Sequence, residues 1–563
     1  MIDIKNGKEE HEKWRSSIYR RHPGVSEYLK REHARIQRKT GFGDADAWLA
    51  NTANRLKIGR SGLSCDCCDT RIKDYAEAKA KKTQRQIFFE ASEVKRLAIS
   101  KEKQACHVTE FIRDVVETAG VAFPLKSEED GYSDKERIAA FARVCDPAWW
   151  RRQLRKIASR QLEAVLRDMG AVALNKAKYL SNFSLRRRAD QQRRNRRLLE
   201  SLEAVNDKGQ VYTLAELSDL SVSNPINRYN ELMTRLHGVQ EYAKDSDYHG
   251  VKYACLFLTL SAPSKYHAMT FRRWKNKKGF SVKRNPNYVG FTPRECNDYL
   301  CDVYARIRAE WARRDIKPFG FRMVEPHHDG TPHWHLAMWF PEDKIIEASY
   351  VFHHYALEED SDEKGARESR YKIVYIDPDK GCAVAYCCKY ISKNITGFNV
   401  GKDSYDGDAI EAALRIEAWK STWGIRQFDF KNMPSVTVWR EARRIKNSEV
   451  RIYLSPEAEA IIEAACDGDW QRYMDLMGGV DCALEDRPVR ACMIDRDDEN
   501  KYGEILAVFD GLLFSEHGEH VETRVYTWEV RRATFTANTE AWSTSLRGFS
   551  ERGGNRPILD LYQ

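Results

Sequence analysis

Two imidazoles, a carboxylate and two phenols set the chemistry this sequence can do. His333 and His335 stand two residues apart in the run PHWHLAMWF, and that spacing on an extended strand puts both rings on one face. They can therefore hold one cation together. Glu325, before a turn at Asp329-Gly330, can swing a carboxylate into the same site, with His327 and His328 in the turn as rivals for third ligand. Such a nitrogen and oxygen set suits Mg²⁺ or Mn²⁺ in use, although imidazoles also take zinc, cobalt or nickel. Further along, Tyr386 and Tyr390 lie four apart with Lys389 and Lys393 beside them. Tyrosine plus a metal is the equipment for attacking a phosphodiester. The metal withdraws charge from the phosphate, and the phenolate displaces a sugar oxygen to leave a covalent phosphotyrosine. Lys393, one turn beyond Tyr390, can neutralise the transition state.

These groups need a hairpin and a helix to position them. Phe321, Met323 and Glu325 alternate with Arg322 and Val324, and His333 to Phe340 forms the return strand. His333, His335, Ala337 and Trp339 then share one face, and Trp334, Leu336, Met338 and Phe340 the other. The tyrosines fall on a helix that Asp377 or Asp379 can cap and Gly397 can end. Its buried stripe reads as Val384, Cys388, Ile391 and Ile395, which leaves Tyr386 and Tyr390 on roughly the opposite face. Cys255 to Leu260 is a nearly continuous apolar run, as in a strand buried on both faces. Asn297 to Arg314 is an amphipathic helix whose stripe of Leu300, Val303, Tyr304, Ile307 and Trp311 should cover the sheet. Phe428 to Arg440 reads as a strand or strand pair, Pro456 to Met477 as helical, and residues 503–536 as strand-rich.

The combination His333-Trp334-His335 with Tyr386-x-x-x-Tyr390 resembles the HUH endonucleases, in particular the two-tyrosine rolling-circle replication initiators. The longer strings FLTLSAPSKYHA (257–268), EPHHDGTPHWH (325–335), KYISKNI (389–395) and STWGIRQF (421–428) are similar to the bacteriophage replication gene A protein family. The resemblance implies an α+β fold, with an antiparallel sheet flanked by helices. It implies metal ligands at His333 and His335, with an acid commonly third, hence Glu325. It implies Tyr386 and Tyr390 as nucleophiles in site- and strand-specific nicking and rejoining of origin DNA. Host replicative helicase and polymerase follow as expected partners. A relaxase or transposase with the same chemistry, a non-catalytic origin-binding protein, and a metallohydrolase using water are the other readings.

Composition bounds the rest. The chain has 563 residues and a formal net charge of +9. Residues 151–200 carry 15 Lys/Arg against 4 Asp/Glu, whereas residues 451–563 carry 12 against 22, so a polyanion partner is expected for the middle. Asp146-Pro147 starts a helix bearing Arg151, Arg152 and Arg155, expected to bind DNA backbone. Residues 265–284 hold eight Lys/Arg and no acid among Tyr266, Phe271, Trp274 and Phe280. Bases stack on aromatics while phosphates pair with cations. Lys265, Arg272, Arg273, Trp274, Lys275, Lys277 and Lys278 are therefore expected to bind single-stranded DNA. Thr213-x-x-Glu216 is a capping box and Asn224-Pro225 starts another helix, a pair that fits a helix-turn-helix or a plain spacer.

Fourteen cysteines are too few for a disulfide scaffold, and Cys65, Cys67 and Cys68 with Cys106-His107 are poorly spaced for zinc. With no apolar leader and no run of 18 apolar residues, the cytoplasm of a bacterial host is expected, with no membrane. No G-x-x-x-x-G-K-[ST] string occurs, so the sequence shows no helicase motor. Five regions are expected: a helical N-terminal region (1–135), a basic helical DNA-binding region (136–245), the nuclease domain (250–400), an associated basic segment (401–450), and an α+β acidic accessory region (451–563).

Overall fold

The computed structural model describes residues 2–97, 99–125, 132–245, 250–274, 279–377, 382–395, 397, 408–445, 454–515 and 518–533. It is a mixed helix and sheet fold of the α+β class. Helices Ile2–Arg21 through Asp134–Val144 lead to the basic helix Pro147–Asp168. Asp146 caps that helix by accepting from the Ala148 amide, with proline in the first turn. Leu29, Leu49, Ile72, Ile112, Trp150 and Leu162 share one core here. A second basic helix, Asn182–Glu200, precedes strands β1 (Leu202–Asn206) and β2 (Val211–Thr213). The Thr213 capping box starts helix Leu214–Leu220, and Asn224 caps Pro225–Lys244.

The main sheet uses β3 (Tyr253–Ser261), β6 (Phe319–Pro326), β7 (Pro332–Pro341), β8 (Tyr371–Ile376) and β9 (Phe428–Lys431); β4 (Met269–Arg273) and β5 (Phe280–Arg284) form a separate hairpin. The order is β8-β3-β7-β6-β9, and every neighbouring pair is antiparallel. Alternation sorts the side chains as read. Phe257, Met323, Ala337 and Trp339 face the tyrosine helix Ala383–Ile395 and helix Pro225–Lys244. Leu258, Val324, Leu336 and Phe340 face helices Pro293–Arg313 and Ile345–Ala356. The Pro293–Arg313 helix buries Leu300, Val303, Tyr304, Ile307 and Trp311, the expected stripe. Each fully buried large side chain contributes about 1.5–3 kcal/mol, so both faces anchor β7 and with it the histidines.

Two readings are corrected. Phe428 to Arg440 is not strand throughout: β9 stops at Lys431, and Val436–Ala442 is helical. Asn432 takes a left-handed φ of 53°, Pro434 has no amide to donate, and Ser435 caps the helix by accepting from Thr437. The tyrosine helix starts after Cys382 rather than at Asp377, and Asp379 lies outside the described residues. Gly397 follows it with φ 67° and donates to Ser392 O.

The C-terminal part adds helices Pro456–Asp467 and Trp470–Leu476 and strands β10 (Val489–Asp495), β11 (Ala507–Phe514), β12 (Glu519–Glu522) and β13 (Trp528–Arg532). Val489, Leu512, Phe514 and Val521 join the core that holds Phe257 and Ile391. β13 returns to pair with β1, where Arg531 donates to Glu203. Among the described residues, no helix is long and apolar enough to cross a membrane.

Candidate active site

Register builds the site. Glu325 on β6 lies opposite His333 on β7, and Met323 lies opposite His335. The two imidazole Nε2 atoms are 3.0 Å apart. Glu325 Oε2 lies 3.6 Å from His335 Nε2 and 3.9 Å from His333 Nε2. Three candidate ligand atoms thus converge within 4.8 Å of one another. On the adjoining strand, Thr259 pairs with His335 in the register and its Oγ1 is 3.1 Å from His335 Nδ1. Such outer partners orient ligating histidines. Burial, then the neighbouring His327, holds the His333 imidazole well below its ordinary range, which favours the neutral form that ligates.

Of the rival ligands, His327 stacks on His333 at 4.0 Å between centroids but stands outside the converging trio. Burial, then His267, lowers its basicity to about 3. His328 turns toward Phe271, with rings 5.7 Å apart. Gly330 closes the turn with φ 82°, and a Cβ there would meet Tyr179 O at 2.8 Å.

The tyrosine helix is tied to the carboxylate. Asn394 donates to Glu325 Oε1 and, at 2.6 Å, to Tyr390 O, and it accepts from Gln427 Nε2 at 3.0 Å. Sequence reading assigned no role to Asn394, Gln427 or Thr259. The one available signal was Asn394 lying a turn past Tyr390 in a helix with an apolar face. That face is Val384, Cys387 and Ile391; Cys387 replaces the expected Cys388, which is half-buried together with Ile395.

The two phenols differ. Tyr390 lies over His335 with centroids 4.6 Å apart and stacks on Phe257. Burial first, then Glu325, pushes its phenol up to about 12. Tyr386 is 45% exposed; its ring packs against the same Phe257 at 4.9 Å and lies 6.3 Å from that of Tyr390. A cavity of about 280 Å³ is lined by Glu325, His333, His335, Tyr390 and Lys393, and Tyr386 is not among its lining residues.

Arg167 braces the histidine turn from beneath. Only 2% exposed, it donates to Asp329 O, Tyr288 OH, Phe291 O, Tyr266 O and Thr331 Oγ1 at 2.6–3.1 Å. Arg167→Met removes five donated hydrogen bonds and the cation beside the buried Asp329, and is expected to destabilise the chain by about 3–5 kcal/mol. Urea unfolding checks this, and a loss under about 1 kcal/mol would contradict it.

The basic residues separate into two groups. Arg151 and Arg155 both donate to Asp69, and Arg155, then Arg151, holds that carboxyl far below the usual range despite partial burial. Arg152 reaches Tyr502 OH at 3.3 Å, and Lys265 pairs with Glu359 and Asp360. Arg272, Arg273 and Trp274 are exposed on the β4–β5 hairpin, while Lys275, Lys277 and Lys278 lie outside the described residues. The hairpin is rooted beside the histidines, since the Met269 amide donates to Asp329 and Phe271 touches His328. At the Cys65 to Cys68 run, burial pushes the Cys65 thiol up to about 12, and no trio of ligating groups gathers there among the described residues.

Residues 70–398 match the family described as bacteriophage replication gene A protein (GPA). Over 447 residues the chain is 35% identical to the replication gene A protein of Escherichia phage 186, covering 76% of this chain and 62% of that one. It is 35% identical over 441 residues to the replication protein of Haemophilus phage HP1, covering 76% and 54%. It is 28% identical over 437 residues to a probable replication endonuclease from a prophage-like region of Salmonella typhimurium, covering 75% and 52%. The chain therefore spans about half to three fifths of the length of these relatives. No solved structure matches it.

Proposed function

This chain belongs to the bacteriophage replication gene A protein family, and from that premise we propose that it is an HUH-type replication initiator. It nicks and rejoins one strand of origin DNA through a 5′-phosphotyrosine. The observation that carries the reading is Tyr390 lying over His335 while Asn394, one turn on, holds Glu325. A phenol beside three convergent ligands is arranged for transesterification. A metallohydrolase would need only the ligands.

Glu325, His333 and His335 fit a divalent cation, and Mg²⁺ or Mn²⁺ held there would polarise the scissile phosphate as a Lewis acid. The chain's own residues do the rest. Tyr390 attacks phosphorus, the P–O3′ bond breaks, the phenol proton leaves to solvent, and the departing sugar oxygen takes up a proton to become a 3′ hydroxyl. Lys393 lines the cavity with Tyr390 and offsets negative charge that develops on the phosphoryl oxygens. Tyr386 cuts the regenerated origin after one circuit, and the newly released 3′ hydroxyl attacks the first phosphotyrosine to close a circle. The phosphotyrosine conserves the bond, so no ATP is consumed.

DNA contact falls mainly to the β4–β5 hairpin, whose Arg272, Arg273 and Trp274 are exposed and whose root packs on the turn at His328 and Asp329, rather than to Arg151 and Arg155, which neutralise Asp69. A polymerase extending the 3′ end and a helicase opening the duplex in the host cytoplasm complete the reaction. Covalent capture tests the reading. Single-stranded fragments tiling the phage genome, end-labelled and mixed with the chain and Mn²⁺, should yield a denaturation-resistant protein band carrying the 3′-side fragment. Cleavage without an adduct would make it a hydrolase, and binding without cleavage an origin-binding protein.

A further inference from the structure

The outer face of the C-terminal sheet carries a second cluster of ligating side chains. Cys492, Asp510 and His520 come one each from β10, β11 and β12, and their sulfur, oxygen and nitrogen atoms lie within 4.8 Å of one another. Regular pairing would not assemble them. Leu512, Phe514 and Val521 point into the core, which puts Cys492, Gly511 and Glu522, paired across the three strands, on the outer face. Phe509 packs on the core side, so regular alternation could not turn Asp510 and Gly511 both outward. The register slips at this point: Cys492 pairs with Gly511, whereas Met493 pairs with Phe509. Asp510 is thus the extra residue of a β-bulge, and the bulge turns its carboxylate to the side of Cys492. Gly511 supplies the room, because a Cβ there would stand 2.9 Å from His520 Nε2. That nitrogen lies 2.8 Å from Asp510 Oδ2.

We propose that Cys492, Asp510 and His520 form a second metal site, separate from Glu325, His333 and His335, for a borderline-soft divalent cation of the Zn²⁺ class. The donors set the class. A thiolate with an imidazole and a carboxylate suits Zn²⁺ and its relatives, whereas Mg²⁺ takes oxygen ligands and keeps its waters. Cys492 ligates as the thiolate. The bound ion ties three strands where their ladder is interrupted. Just after β12, Thr523 and Arg524 donate to Glu441 on helix Val436–Ala442, so the tie bears on the elements behind the nuclease sheet.

Co²⁺ titrated into the metal-stripped full chain reads the site directly. Thiolate ligation gives a near-ultraviolet charge-transfer band that the sulfur-free trio at His335 cannot produce. The band is expected to saturate at one equivalent in His335→Ala and by two equivalents in the wild type, where the histidine trio also takes Co²⁺, to vanish in Cys492→Ser, and to require at least about tenfold more Co²⁺ in His520→Ala. Zn²⁺ should abolish it by displacement. A wild-type chain with no band, or a band that survives both substitutions unchanged, overturns the proposal and leaves Asp510 and His520 an ion pair only. If Cys492→Ser fails to match the wild-type circular dichroism, His520→Gln and Asp510→Asn decide the outcome by the same band.

Discussion

Tyr390→Phe is expected to slow the first strand cleavage by roughly 10⁴-fold or more, the scale on which loss of a nucleophile acts, while Tyr386→Phe slows the same step by no more than about tenfold. The asymmetry follows from where the helix places each ring. Tyr390 lines the cavity with both histidines and Lys393, and its ring is 4.6 Å from that of His335. Tyr386 packs on Phe257 beside Tyr390 but is nearly half exposed and does not line the cavity. The proposed cycle gives it the second cut, so Tyr386→Phe should still form the first adduct yet fail to release closed circles. Burial pushes the Tyr390 phenol up to about 12. The phenolate therefore gains population as pH rises through the neutral range, and single-turnover adduct formation should accelerate with it. Rapid-quench assays on a labelled origin fragment measure both first-cut rates and the pH dependence, and a circular origin template reads the release of closed circles. Equal first-cut rates in the two variants, or a first cut lost only in Tyr386→Phe, would remove the assignment.

The site was legible where one short-range period fixes it. Alternation in EPHHDGTPHWHLAMWF sets which side chains share a face, and the strand register opposes Glu325 to His333. The helix period is less exact, since both i+3 and i+4 return to one face, which is how Cys388 was expected where Cys387 is buried. Long-range partners leave no such trace. Nothing near Arg155 in sequence marks Asp69 as its acceptor, and charge counting alone made that helix look free for phosphate. Gln427 reaching Asn394, and β13 crossing back to β1, are likewise products of tertiary packing. Strand propensity in FDFKNMPSVTVWR was overruled locally, by Asn432, Pro434 and the Ser435 cap.

The choice of third ligand has the other large consequence. Glu325→Gln and His335→Ala are each expected to weaken Mn²⁺ binding by at least about 100-fold, beyond what loss of an outer partner costs, and to cut adduct formation on the order of 10³-fold. His327→Ala should leave both within about tenfold. Glu325 Oε2 converges with both Nε2 atoms, while its Oε1 is held by Asn394. The carboxylate therefore cannot rotate away without breaking the Asn394 bridge to Tyr390 O. Loss of its charge should uncouple cation and nucleophile together. His327 contributes a stacked ring, and its low basicity, down to about 3, keeps it neutral beside the ion. Electron paramagnetic resonance titration with Mn²⁺, run in Cys492→Ser so that the C-terminal cluster does not compete, separates the cases. Should His327→Ala lose the ion and Glu325→Gln keep it, the cation would sit toward the turn and Glu325 would lose its place as third ligand.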